Sequence, residues 1–109
     1  MSLTMILSYT GAPGAAQAFA KEMRENGIIS TTRNRDGNLR YEFFQPLDTP
    51  DTIVLIDTWD NQAALDAHHE SKLMSDIAAL REKYDLHMQA QRYHGPLSLD
   101  ASDHAHIRA

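Results

Sequence analysis

The chain contains no cysteine among its 109 residues. This absence excludes disulfide bonds, thiolate metal sites and cysteine nucleophiles. No apolar run approaches the roughly 20 residues that a membrane-spanning helix needs, and the N-terminus lacks the charged start of a signal peptide. We therefore expect a cytoplasmic protein with no membrane partner.

Positive charge is also scarce, because the chain has ten Lys and Arg residues and 15 Asp and Glu residues, which give a net charge of −5. This balance argues against nucleic acid as a partner. The glycine spacings of dinucleotide and P-loop sites are absent, so a nucleotide cofactor is not expected. Asp103, His104 and His106 have loose metal-ligand spacing, but they lie in a segment without periodicity, and we predict no metal site.

Alternating or β-branched apolar residues predict four strands, over residues 3–9, 39–44, 53–59 and 86–94. Helical spacing predicts helices from residue 15 to the Asn26–Gly27 break and over residues 62–69 and 71–84, with a short helical turn over residues 28–33. The order β-α-β-β-α-β is that of the ferredoxin-like α+β fold, with an antiparallel four-stranded sheet. Residues 1–95 form the predicted domain, and residues 96–109 are predicted to be a flexible tail.

Apolar residues on both faces of the predicted sheet indicate an assembly. The two helices cover one face, which leaves Ile6, Val54 and Ile56 on the other. A monomer would expose these side chains, so we predict a homodimer in which two sheets pack together.

The stretch TIVLIDTWDNQAALDAHHES, residues 52–71, organises the rest of the chain. Asp57 and Trp59 lie on the same face at the end of the third strand. Asp60 and Asn61 supply a helix N-cap, and His68 follows about two and a half turns into the helix. A helix folded back on the strand would bring these three side chains around one cavity.

The segments GNLRYEFF and DTWDNQAALDAHHES, at their spacing, resemble the antibiotic biosynthesis monooxygenase family, which includes quinol monooxygenases. The resemblance extends from Leu3 to Tyr93. It implies a dimeric α+β barrel with a pocket between helices and sheet, and oxidation of a phenol or quinol by O₂ without metal or flavin. The family is also similar to haem-degrading enzymes, but the positions that match their Asn and His are Leu7 and the region of residues 77–78, so haem degradation is not expected.

This resemblance makes His68 the favoured general base, which would remove a phenolic proton. Trp59 would form a pocket wall or donate a hydrogen bond through its indole N–H; the alternative for both is an ordinary structural role. His69 lies about 100° away around the helix, and we expect it to be exposed. Asp57 would orient His68, bind a substrate hydroxyl, or form an ion pair with Arg33 or Arg40, and the ion pair is the favoured interpretation.

The remaining substrate-binding candidates follow from their positions around this stretch. They are Tyr41, Arg33, Leu55, Leu65 and Leu73. Core packing is the default interpretation of Tyr41. Arg33 would bind a substrate carboxylate or phosphate, unless it forms a salt bridge within its loop. Leu55 and Leu65 occupy the places of polar pocket residues in polyketide-oxidising members, so the resemblance does not define the substrate.

Three functions are consistent with these residues. The first is a cofactor-free monooxygenase acting on an aromatic or quinol-like small molecule. The second is an isomerase or lyase acting on a small polar or phosphorylated metabolite, in which His68 and Asp57 move protons and Arg33 holds the anion. The third is a dimer that binds a small molecule without catalysis.

Overall fold

The computed structural model describes residues 1–95 and 98–108. Its strands are β1 (Leu3–Thr10), β2 (Asn38–Phe44), β3 (Thr52–Trp59) and β4 (His87–His94). Its helices are α1 (Ala15–Glu25), α2 (Ile28–Arg33), α3 (Gln62–His69), α4 (Lys72–Lys83) and the single turn α5 (Ala101–His104). None of the helices in this part of the chain is long and apolar enough to cross a membrane.

The strands form one antiparallel sheet in the order β2-β3-β1-β4. This is the arrangement of the ferredoxin-like α+β fold, so the predicted fold is confirmed. The two central strands, β1 and β3, supply most of the buried sheet residues, because each has a neighbouring strand on both sides.

One face of the sheet packs against the helices. In register, Leu7 pairs with Leu55, and Tyr9 pairs with Ile53. Phe19 of α1 contacts this face, with the rings of Tyr9 and Phe19 5.0 Å apart. The main hydrophobic cluster joins β1, β2 and β3 to α1, α2 and α4. Burial of these apolar side chains is the principal driving force for folding, at roughly 25 cal/mol for each Å² removed from water.

The opposite face of the sheet is not part of the hydrophobic cluster that the helices of the described residues form with the sheet. Ile6 pairs with Ile56 at its centre, and Val54 lies beside them; all three are half-buried. Phe44 and Tyr93, on the two edge strands, are 40% and 52% exposed. The predicted apolar second face is therefore present.

Two details of the predicted strands are wrong. The alternation over residues 86–94 predicts a strand with one exposed face, but all residues of β4 are exposed, because no helix in the described residues packs extensively against this edge strand. Leu39 was expected to share a buried face with Tyr41 and Phe43, but it is 49% exposed. A register shift between Asn38 and Arg40 leaves Leu39 out of the regular pairing with β3.

The C-terminal segment contains one element that the sequence analysis did not predict. Helix α5 begins after Asp100, whose backbone N–H donates to the Asp103 carboxylate at 2.8 Å. Residues 96, 97 and 109 of the predicted tail lie outside the described residues.

Candidate active site

The junction between β3 and α3 sets the position of the candidate site. Asn61 is the N-cap of α3, and its side chain accepts a hydrogen bond from the Ala64 backbone N–H at 2.9 Å. The predicted N-cap is confirmed at Asn61. Asp60 donates its backbone N–H to the Gly37 carbonyl at 2.8 Å, which ties this junction to the start of β2. As a result, α3 folds back along the end of β3.

This geometry places His68 against Trp59. The two rings are stacked, with centroids 4.9 Å apart and an interplanar angle of 29°. Tyr41 of β2 meets His68 edge to face at 6.5 Å. Trp59 is fully buried and His68 is 3% exposed. The predicted contact between His68 and Trp59 is therefore present. Of the three side chains predicted around one cavity, however, only Asp57 and His68 line it, and Trp59 packs behind the His68 ring.

A small cavity of about 30 Å³ lies between the helices and the sheet at this point. Its lining residues come from three strands and two helices: Leu7, Tyr9, Tyr41, Leu55, Asp57, His68, His69, Met74 and Ile77. A cavity of this size holds about one water molecule. An aromatic substrate can enter only if the surrounding side chains move.

Asp57 lies in the middle of β3, paired in register with Met5 on one side and Tyr41 on the other. It is 4% exposed, and its Oδ1 atom has no hydrogen-bond partner among the described residues. Burial raises the pKa of its carboxyl group to about 7, and the neighbouring Trp59 indole N–H opposes the rise. The indole N–H and the carboxyl group do not form a hydrogen bond of normal geometry.

The predicted ion pair of Asp57 with an arginine is wrong. Arg33 donates from Nε to the Tyr41 carbonyl oxygen at 2.9 Å, and Arg40 pairs with Glu42 at 2.7 Å. Both arginines line an outer groove beside β2. Because neither guanidinium reaches the cavity, Asp57 is a buried carboxyl group without a cation partner among the described residues.

His68 is held in its neutral form. The pKa of its imidazole is lowered to about 4, mainly by burial, with smaller contributions from the charges of Arg35 and His69. Its Nδ1 atom is buried and has no hydrogen-bond partner among residues 1–95 and 98–108. His69 is exposed, as predicted, although part of its side chain reaches the cavity wall.

Sequence reasoning missed Tyr9 as a cavity residue. Tyr9 is the last residue of β1 on the face that packs against the helices, and it is 3% exposed. Burial raises the pKa of its hydroxyl group, and the charge of Arg81 opposes this rise. The signal in the sequence was its shared face with Leu3, Met5 and Leu7, but its distance from Asp57 depends on the β1–β3 register.

The other predicted substrate-binding residues separate into different environments. Tyr41 and Leu55 line the cavity. Leu65 packs with Leu3 and Trp59 in a second hydrophobic cluster, and Leu73 lies at the border of the main cluster. No three His, Asp or Glu side chains gather as a metal site in the part of the chain that the structure describes.

Residues 2–80 match the model of one protein family, described as antibiotic biosynthesis monooxygenase. The chain belongs to this family. The match includes every residue that lines the cavity, whereas β4 and the C-terminal segment lie outside it. None of the curated proteins matches the chain in sequence.

Several solved structures share the fold of this antibiotic biosynthesis monooxygenase family member. A candidate antibiotic biosynthesis monooxygenase from Deinococcus radiodurans is 19% identical, with a TM-score of 0.74, and the match covers 92% of this chain and 97% of that one. Another from Nitrosomonas europaea is 17% identical, with a TM-score of 0.74, over 88% and 90% of the two chains. A Pseudomonas aeruginosa protein is 25% identical, with a TM-score of 0.73, over 87% and 94%.

Proposed function

We propose that this protein is a cytoplasmic, homodimeric monooxygenase that oxidises a phenolic or quinol-like small molecule with O₂, without a metal or flavin. One observation carries the proposal: Asp57 and His68 line the same cavity, each has a buried polar atom without a hydrogen-bond partner among the described residues, and the other lining residues are mostly aromatic or apolar. Such a site can bind a hydroxyl group on a flat ring and move its proton.

The chemistry begins with loss of the phenolic proton to a side chain in the cavity. The resulting phenolate gives one electron to O₂, and the phenoxyl radical and superoxide combine to form a C–O bond. The peroxide takes up a proton, its O–O bond breaks, and a water molecule leaves. One oxygen atom remains on the ring as a carbonyl group, and the other is in the water. His68 is the base favoured by the sequence, and Asp57 is the second candidate.

The closed cavity adds a requirement for movement. A volume of about 30 Å³ is smaller than an aromatic ring and its substituents. His69 is exposed and Met74 is half-buried, and both line the cavity. We therefore infer that a substrate enters from solvent through the α3–α4 junction between these two residues.

The test is oxygen uptake by the purified protein over a panel of hydroquinones, naphthols and anthrones. We expect uptake on at least one compound without added metal or flavin, and slower uptake in His68→Ala at the same substrate concentration, because His68 lines the cavity. The control is His104→Ala, in the exposed helix α5, which should keep full activity. Uptake by no compound, or only after a metal or flavin is added, would contradict the proposal.

The isomerase alternative is less well supported. It needs a cation to hold a phosphate or carboxylate, and Arg33 instead lies in the outer groove and donates to the Tyr41 carbonyl. Turnover under anaerobic conditions would favour this alternative. Tight binding without turnover would favour a non-catalytic binding protein.

The proposed homodimer rests on the open face of the sheet. Its apolar centre, Ile6, Val54 and Ile56, is flanked by Phe44 on β2 and Tyr93 on β4. Polar residues lie beside this centre, with Gln91 next to Ile6 and Glu42 next to Ile56. An apolar centre with a polar rim is typical of a subunit interface. A second copy is the simplest partner, because a two-fold axis lets the same surface cover itself.

A further inference from the structure

Two side chains that line the cavity each have a buried polar atom without a hydrogen-bond partner among the described residues. These atoms are Oδ1 of Asp57 and Nδ1 of His68, on side chains that are 4% and 3% exposed. A buried polar atom without a partner is energetically unfavourable. The cavity that both side chains line has room for one hydroxyl group or water molecule. A ligand hydroxyl group bound in this cavity therefore lies next to both side chains.

The surroundings of His68 do not suit a proton acceptor. Its ring is stacked on Trp59 and meets the edge of Tyr41, so its orientation is fixed. Protonation would place a positive charge in a buried position near Arg35 and His69; burial first, and these two side chains second, lower the pKa of the imidazole to about 4. A base this weak has little driving force for taking a phenolic proton.

The surroundings of Asp57 suit the task better. The titratable groups that line the cavity with it are Tyr9 from β1, Tyr41 from β2, and His68 and His69 from α3. Trp59 is the next residue on the same face of β3, and Arg81 of α4 acts on Tyr9 and Tyr41. No cation pairs with the carboxylate in the described part of the chain. Its basicity is therefore much higher than that of an exposed aspartate.

We propose that Asp57, and not His68, takes the proton from the substrate hydroxyl, while the fixed imidazole of His68 positions that hydroxyl by a hydrogen bond at Nδ1. This inference rests on the proposed oxygenase function and assigns roles within the same site. It makes Asp57 the catalytic residue and His68 a binding residue whose protonation state does not change.

The proton balance closes over one turnover. The Asp57 carboxylate takes the hydroxyl proton, and the phenolate reduces O₂ by one electron. After the two radicals combine, protonated Asp57 returns its proton to the peroxide anion. The O–O bond then breaks, and hydroxide leaves with the proton from the same ring carbon as water. Asp57 is again a carboxylate, and O₂ is the only oxidant.

The first test needs no substrate. In protein carrying ¹³C-labelled aspartate carboxyl groups, one NMR signal should titrate near pH 7, disappear in Asp57→Asn and persist in His68→Gln. Asp57→Glu provides a second assignment if the Asn variant does not fold, because the titrating signal then disappears from labelled aspartate and appears in a sample with ¹³C-labelled glutamate carboxyl groups. An Asp57 signal that titrates at its ordinary acidic pH, or a His68 imidazole that titrates near neutral pH, would overturn the inference.

The second test uses the compound that the oxygen-uptake panel identifies. The kcat/KM profile of the wild type should rise with pH as Asp57 ionises, and His68→Gln should keep this profile with a raised KM. Asp57→Asn should lose at least about 100-fold in kcat, the size typical of a lost general base. A profile whose ionisation disappears in His68→Gln would refute the assignment. If no compound is oxidised, the proposed function fails, while the NMR titration still decides which residue holds the proton.

Discussion

The imidazole of His68 lies flat on the indole of Trp59, with ring centroids 4.9 Å apart. Trp59 is the only tryptophan in the chain. Its fluorescence therefore reports directly on the imidazole, because a protonated imidazole in contact with an excited indole quenches its emission.

We predict that the emission of Trp59 decreases only when the solution is acidified to about pH 4, where burial places the His68 pKa. His68→Gln should be brighter than the wild type and lose this transition. His69→Gln, the neighbouring exposed histidine, should keep it. Circular dichroism must show that the protein remains folded throughout. A quenching midpoint near 6.5 would show that His68 has the pKa of an exposed histidine.

Asp57 and His68 should affect the pH dependence of stability in opposite directions. The folded-state pKa of Asp57, about 7, lies above its ordinary value of 3.8, so the native state binds more protons and stability falls as pH rises between these values. The folded-state pKa of His68, about 4, lies below 6.5, so stability rises with pH over that range. Each contribution is roughly 3–4 kcal/mol, and in the wild type they nearly cancel.

Single substitutions should separate the two contributions. Asp57→Asn leaves only the His68 contribution, so its free energy of unfolding should rise from about pH 4 to 6.5. His68→Gln leaves only the Asp57 contribution, so its free energy should fall from about pH 4 to 7. Urea unfolding across this range measures both slopes. Two slopes of the same sign would contradict the buried, unpaired state of one of these groups.

The parts of the site that local sequence determines could be predicted from the sequence. The Asn61 N-cap and the alternation of apolar residues in β3 depend only on neighbouring residues. Together they set the direction of α3, which places His68 against Trp59. Tyr9 was missed because its approach to Asp57 depends on strand register between distant segments. The predicted ion pair between Asp57 and an arginine was wrong because it was inferred only from the need of a buried carboxylate for a partner. Arg33 instead donates a hydrogen bond to the Tyr41 carbonyl oxygen.

Gly37 controls how closely α3 approaches the start of β2. Its φ is +81°, and an added Cβ would lie 2.5 Å from the Ala64 side chain. We predict that Gly37→Ala lowers the free energy of unfolding by about 2–4 kcal/mol, from backbone strain and overpacking together. Gly14→Ala is the matched control, because Gly14 has a φ of +84° and no atom within 4 Å of an added Cβ. It should cost only the backbone contribution, about 1 kcal/mol.

The steric part of the Gly37 effect can be isolated by a double-mutant cycle. Ala64→Gly removes the methyl group that the new Cβ would strike, at about 1 kcal/mol for a glycine in a helix. In the Gly37→Ala/Ala64→Gly protein, the combined loss should be smaller than the sum of the two single losses. Additive losses would mean that the contact between β2 and α3 adjusts without strain.

The open face of the sheet gives the last prediction. Ile56 pairs with Ile6 at the centre of this face, so Ile56→Glu would place a carboxylate in the proposed dimer interface without a partner. Burial of an unpaired charge costs several kcal/mol, which corresponds to at least a roughly 100-fold weaker dimer. Sedimentation equilibrium should show a wild-type dimer and an Ile56→Glu monomer with an unchanged circular dichroism spectrum. Leu47→Glu is the control, because Leu47 is 98% exposed in the β2–β3 connection, and it should remain dimeric. A monomeric wild type, or a dimer that Ile56→Glu leaves intact, would show that this face is not the subunit interface.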